Sequence, residues 1–162
     1  MLPAVAYTLA DFLDSGIPSI STESIRFEHP SFASAAYPSL NLYLCNIHRN
    51  TRIESAISAP TGNAQLGSRL WFDTSFLLTV QEHTQLGKQR LIEAAMTHCL
   101  QHPYLSDHQL APTLRGYDRI PLRVTAVKPT LWNSLDIPQQ PAIRLTLTVP
   151  FAAIRPALPM TA

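Results

Sequence analysis

His98 and His102 stand four residues apart, a spacing that on a helix puts two imidazoles on one face. Two imidazoles are half of a zinc site, and a third ligand would have to come from His108 or Asp107. The residue after His98 is Cys99, so the His-Glu-x-x-His arrangement of a metallohydrolase is absent. Cys45 is the other group that invites chemistry, as a nucleophile served by a histidine. It sits in an apolar Asn-Leu-Tyr-Leu-Cys segment with nothing adjacent to lower its pKa, so it reads as a core thiol. Asp73 with Glu82, or Glu23 with Glu28, would make acid–base pairs, but sequence alone does not bring them together. Gly62 and Gly67 are isolated, and no nucleophile elbow, P-loop or dinucleotide fingerprint is present. The sequence therefore predicts no catalytic residue, no metal and no cofactor.

The elements that would position these groups are legible from periodicity. Leu2, Val5, Leu9, Phe12 and Leu13 recur at helical spacing, and Gly16 and Pro18 stop the helix. Ser24 to Glu28 predicts a short strand. Leu40 to His48 predicts a longer one, with Leu40, Leu42 and Leu44 on one face and Tyr43, Cys45 and Ile47 on the other. Two apolar faces imply an interior strand covered on both sides. Arg49 to Arg69 shows no period and predicts a long loop. Leu70 to Gln81 alternates strictly. A helix from Gln85 to Gln101 follows, with Thr84 as N-cap and Pro103 as stop. Its buried side is expected to be Ile92, Ala95, Met96 and Cys99, opposite a polar stripe of Gln89, Glu93, Thr97 and Gln101. Ser106 to Gly116 reads as a connector, Leu122 to Ala126 as a strand, Thr130 to Leu135 as a helical turn, and Ile143 to Phe151 as the last strand. The expectation is a single α+β domain over residues 1–154, with two main helices on a mixed or mostly antiparallel sheet and a loose tail at 155–162.

Composition narrows the function classes. The chain has 162 residues, one domain's worth, with 46% hydrophobic and only 14% charged residues. Net charge is +1, which gives no electrostatic case for nucleic acid or an anionic membrane. No stretch suits a bilayer span and no signal peptide is evident, so a cytoplasmic protein is expected. Cys45 and Cys99 read as free buried thiols, a bridge between them being the alternative.

Several short motifs recur in one order: Asn41-Leu42-Tyr43-Leu44, Asn46-Ile47-His48-Arg49-Asn50, Thr74-Ser75-Phe76-Leu77-Leu78-Thr79, Leu86-Gly87, His102-Pro103-Tyr104-Leu105, Val124 to Pro129, and Leu131-Trp132. In that order, from about Ala4 to Phe151, the chain resembles the tail-terminator or cap family of phage-tail-like contractile injection systems, of the antifeeding-prophage and virulence-cassette kind. It departs from the family pattern in the loop from Thr51 to Arg69, in Phe76 where a tyrosine is usual, and around Arg115 to Arg119.

The resemblance implies a structural, non-enzymatic protein. It would form a ring, a homohexamer, that ends the inner tube and anchors the last sheath layer of a particle assembled in the cytoplasm. Its partners would be itself, the tube protein and the sheath protein, with no nucleic acid and no membrane insertion. A phage tail-terminator or tail-completion protein is the related alternative, and a small α+β ligand-binding or enzymatic domain the unrelated one. Candidate interface residues follow from exposure and chemistry: Arg49, Arg52 and Glu54 in the long loop, Trp71 in a second core layer or at an interface, and Arg144 on the more polar face of the last strand. That strand is also the candidate edge for accepting an arm from another chain.

Overall fold

Pro3 in the first turn and an apolar row at three- and four-residue spacing build α1 (Leu2–Gly16), which buries Val5, Leu9, Phe12 and Leu13. The helix stops where Ile17 turns extended while its N–H still reaches the Leu13 carbonyl. The computed structural model describes residues 1–32, 37–57, 69–117 and 119–152. The further elements are β1 (Ile25–Arg26), β2 (Ser39–Arg49), α2 (Thr51–Ile57), β3 (Arg69–Gln81), α3 (Gln85–Gln101), β4 (Tyr104–Ser106), β5 (Arg119–Thr125), α4 (Pro129–Leu135) and β6 (Ala142–Ala152). They form one α+β domain around a six-stranded sheet in the order β1-β2-β3-β6-β5-β4. Only β1 and β2 run parallel; every other pairing is antiparallel.

The core lies on one face of this sheet. Leu42, Phe76, Leu78, Leu145 and Leu147 meet Leu9 and Leu13 of α1 and Leu91, Ala95 and Cys99 of α3, all buried in one cluster. Each such leucine contributes about 1.5–3 kcal/mol by leaving water. Leu77, buried on the opposite face, and Trp132 of α4 lie outside that cluster. Thr84 caps α3 as expected, its hydroxyl accepting from the Gly87 N–H at 2.9 Å.

Five expectations change. The last strand is an edge only in part: β6 lies between β3 and β5 over Arg144 to Leu147. The long loop begins with a helix, α2, that spacing did not reveal; residues 58–68 lie outside the described residues, as do those expected to form the tail. Leu91, not Met96, faces the core from α3, because 91, 95 and 99 repeat every four residues. The connector after α3 opens with β4, a strand of three residues and too short to show a period.

The fifth change concerns β2. Leu44 pairs with Phe76 and Asn46 with Ser75, so Cys45 is an extra residue, a β-bulge. The bulge inverts the alternation beyond it. Ile47 opposite Thr74 joins the side of Leu42 and Leu44, while Asn46 and His48 join that of Tyr43. Only the first half of β2 is buried on both faces; from Asn46 onward it is exposed.

Candidate functional site

The groups with catalytic potential are kept apart. His98 and His102 do lie on one side of α3, but they pack on Phe12, with centroids at 4.2 and 5.4 Å. His98 Nε2 lies 3.0 Å from the Phe12 carbonyl and His102 Nδ1 2.8 Å from the His98 carbonyl. A carbonyl only accepts, so both nitrogens carry protons. His108 Nδ1 pairs with the Ser106 hydroxyl. No three His, Cys, Asp or Glu among the described residues come together as a metal site. Cys99 is buried and its pKa is pushed up to about 12 by desolvation. Cys45 is half-buried and donates to the Ser75 carbonyl at 3.3 Å. Burial raises its pKa against the opposing pull of the Arg144 charge. Neither thiol is poised as a nucleophile.

What the fold does assemble is a polar layer on the sheet face opposite the core. Cross-strand register places His48, Asp73 and Thr148 in one row, Asn46, Ser75, Thr146 and Arg123 in the next, and Tyr43, Leu77, Arg144 and Thr125 in a third. Asp73 is the hub: Arg123 donates to it at 2.7 Å, Asn50 at 3.1 Å and Thr148 at 2.6 Å. Ser75 and Thr146 share a hydrogen bond at 2.9 Å, and the Arg144 terminal nitrogen donates to the Ser75 hydroxyl at 3.1 Å. The strict alternation of the sequence signals such a face. It did not single out Asp73 and Arg123, because nothing local says which polar residues of three strands will meet.

Three of the residues expected at an interface meet at one end of this layer. Arg49 takes Glu54 side-on, through Nε at 3.1 and 3.2 Å and a terminal nitrogen at 2.9 Å. Glu54 also accepts the Trp71 backbone N–H at 3.0 Å. Its carboxyl is held below the ordinary range first by the Arg49 bond, then by that N–H, and the Arg49 guanidinium is correspondingly raised. The Trp71 side chain is partly buried against the core cluster, its ring edge-on to Tyr117 at 6.2 Å. It is therefore packed rather than presented. Arg52 is exposed on α2, apart from this group. Arg144 lies two strands away on β6, half-buried.

Beside the polar layer runs an open strand edge. β1 pairs only with Leu40 and Asn41, so from Leu42 to Arg49 β2 has β3 as its single strand neighbour among the described residues. Unpaired N–H and C=O groups along such an edge are a template for another strand. A second stretch, Thr148 to Ala152 of β6, also has β3 as its single strand neighbour among the described residues, because β5 pairs with β4 up to Pro121 and joins β6 only from Leu122 onward. Pro150 stands there, where the missing N–H is tolerated. On α3, Leu86, Met96 and Leu100 are exposed, as is Tyr104 just beyond it. No helix among the described residues is long and apolar enough to cross a membrane.

The fold and this site define a single α+β domain with a hydrogen-bonded polar sheet face and an open strand edge. The chain belongs to the family described as the Pvc16 N-terminal domain, which matches residues 4–158. Two solved structures resemble it. One is the PVC sheath/tube terminator of an extracellular contractile injection system in its extended state, with 17% identity and a TM-score of 0.63 over 100% of this chain. The other is the tube-terminating cap of the anti-feeding prophage, with 17% identity and a TM-score of 0.59 over 98% of this chain. The chain spans 64% and 57% of the length of those two proteins. No curated protein matches it.

Proposed function

We propose that the chain is a structural cap that terminates the tube of a contractile injection system, forming a ring on the last tube layer and contacting the last layer of sheath. The observation that carries this reading is the family match, together with the likeness of the fold, along 100% and 98% of this chain, to part of two tube terminators. The site agrees with it. His98 and His102 pack on Phe12 and Cys99 is buried, and a terminator acts by binding, with no chemical step required of these groups. A terminator must bind one layer and offer nothing to the next, which is achieved by a surface that matches on one side only.

In this reading the ring is a homohexamer assembled in the cytoplasm, its partners are the tube and sheath proteins, and the contact surface is the β2 end of the polar layer. There Arg52 is exposed on α2, and Arg49 and Glu54 hold α2 to β2 and β3. The open edge of β2, rather than the last strand, is the place where an arm from a neighbouring subunit would add.

Electron microscopy of particles from cells with and without the gene tests the reading. The expected result is end density with six-fold symmetry in the presence of the gene, and missing, truncated or variable-length particles in its absence. Capped particles of normal length from the deletion strain would overturn it.

A further inference from the structure

Among the arginines whose burial is described, Arg144 alone is half-buried, and it is the one there that withdraws its charge from water without a carboxylate to answer it. Arg26, Arg49 and Arg123, all more exposed, each reach a carboxylate at 3.6, 2.9 and 2.7 Å. Arg144 has no carboxylate within ion-pair distance among the described residues. Its contact is with the neutral Ser75 hydroxyl, and its Nε is shut from water without any partner. Burying a charge with an idle donor is costly unless something supplies the partner. The one acid on the same face among the described residues, Asp73, is already committed to Arg123, Asn50 and Thr148.

We propose that Arg144 is the receptor for a carboxylate, an aspartate or glutamate side chain, presented by an adjoining protein subunit in the assembled particle. The inference rests on the reading of the chain as a particle component. Arg49 and Glu54 display the geometry within this same molecule: a carboxylate takes guanidinium side-on through Nε and a terminal nitrogen. In Arg144 that Nε is the idle donor. A small turn about the last side-chain bonds frees the terminal nitrogen from Ser75 and brings Nε with it toward the incoming acid. The row-mates of Arg144, Tyr43, Leu77 and Thr125, are neutral. One unpaired cation with neutral row-mates, the next charge on the face being Arg123 already paired with Asp73, fits one carboxylate and not a polyanion such as nucleic acid, which needs several.

Three readouts test this. In the isolated full-length chain, sodium acetate is titrated against chloride at constant ionic strength while arginine Nε–H signals are followed by NMR, the Arg144 signal being assigned by its loss in Arg144→Gln. A saturable shift of that signal, larger than for any other arginine, is expected; a shift no larger than the rest overturns the proposal. Thermal melting of Arg144→Met and Arg144→Gln is the second. A receptor arginine is released from an unpaired charge, so Arg144→Met melts at or above the wild type; a drop of several degrees in both variants would make Arg144 an internal tie to Ser75 and end the proposal. Third, folded Arg144→Met enters particles at least about tenfold less than the wild type, with Arg144→Lys between them, since lysine keeps charge without the fork. Incorporation equal to wild type overturns the proposal. If the wild type itself is absent from particles, the tube-cap reading falls, and the acetate and melting results still decide whether Arg144 is a carboxylate receptor.

Discussion

The imidazole of His98 lies stacked on the ring of Phe12, centroids 4.2 Å apart, and donates to that residue's carbonyl at 3.0 Å. The pair joins the last turn of α1 to α3. Gly16 makes room for it, because a Cβ at Gly16 would run into the His98 ring. Gly16→Ala should therefore cost about 1–3 kcal/mol by overpacking, against a helix-propensity gain of at most about 1 kcal/mol. In a His98→Ala background the same change should be neutral or favourable. Urea unfolding of the two single variants and the double variant measures the coupling.

Burial pushes the His98 imidazole below its ordinary value; the Phe12 carbonyl pulls the other way, and charge on His102 adds to the depression. The folded chain then binds this proton less readily than the unfolded one. Stability from the pair is whole above the ordinary histidine value of about 6.5 and is lost as pH falls through it toward the folded value. Chemical denaturation from pH 8 to pH 5 should show that slope in the wild type and a shallower one in His98→Gln. Equal slopes would remove His98 as the cause.

Asp73 ties three elements of the polar layer together, and its side chain is only 15% exposed. Asp73→Ala leaves Arg123, Asn50 and Thr148 without their acceptor and should cost about 1–3 kcal/mol. Thr148→Val, which removes one of the three bonds, should cost about 1 kcal/mol. The two should be strongly non-additive in a urea-denaturation cycle; additivity would mean that Asp73 acts elsewhere.

Glu54 acts locally. Its carboxyl is held below the ordinary range by Arg49 and by the Trp71 N–H. Its contribution is present above the ordinary carboxylate value and lost as pH falls through the lower folded value. Hydrogen exchange should show the Trp71 amide unprotected in Glu54→Ala while the amides of Phe76 to Leu78 keep their protection. Loss of protection across β3 would contradict a local role.

The two thiols should separate cleanly. Cys99 is buried and pushed up to about 12, while Cys45 is half-buried and raised less. A maleimide added at pH 7.5 to the folded chain should modify Cys45 first and reach Cys99 only on unfolding. Mass spectrometry of Cys45→Ser and Cys99→Ser assigns the order.

How far the sequence reached depended on the range of the interaction. α1, β3, α3 and β6 each carry a period longer than one turn or several pleats, and all were legible. So was the Thr84 cap, which acts across three residues. α2 and β4 are too short for a period, and the place of β6 inside the sheet depends on pairing with β3 across 63 to 83 residues. The site divides the same way. Arg49 with Glu54 lies five apart and was picked out together; Asp73 with Arg123 lies fifty apart and was not. Arg144 was marked by its place on a polar face, but its missing partner is visible only when every acid nearby has been assigned.

The bulge at Cys45 carries a consequence for comparing distant relatives. Leu44 already faces Phe76 and Asn46 already faces Ser75, so β2 holds one residue more than its ladder uses. Deleting Cys45 would leave every other pairing in phase. A relative without the extra residue would keep the same inward and outward faces at a strand length one shorter. An alignment that forbids gaps inside strands would then shift positions 46 to 49 by one and set Ile47 against a polar column. Against such a relative, a single gap at position 45 would keep that column in register.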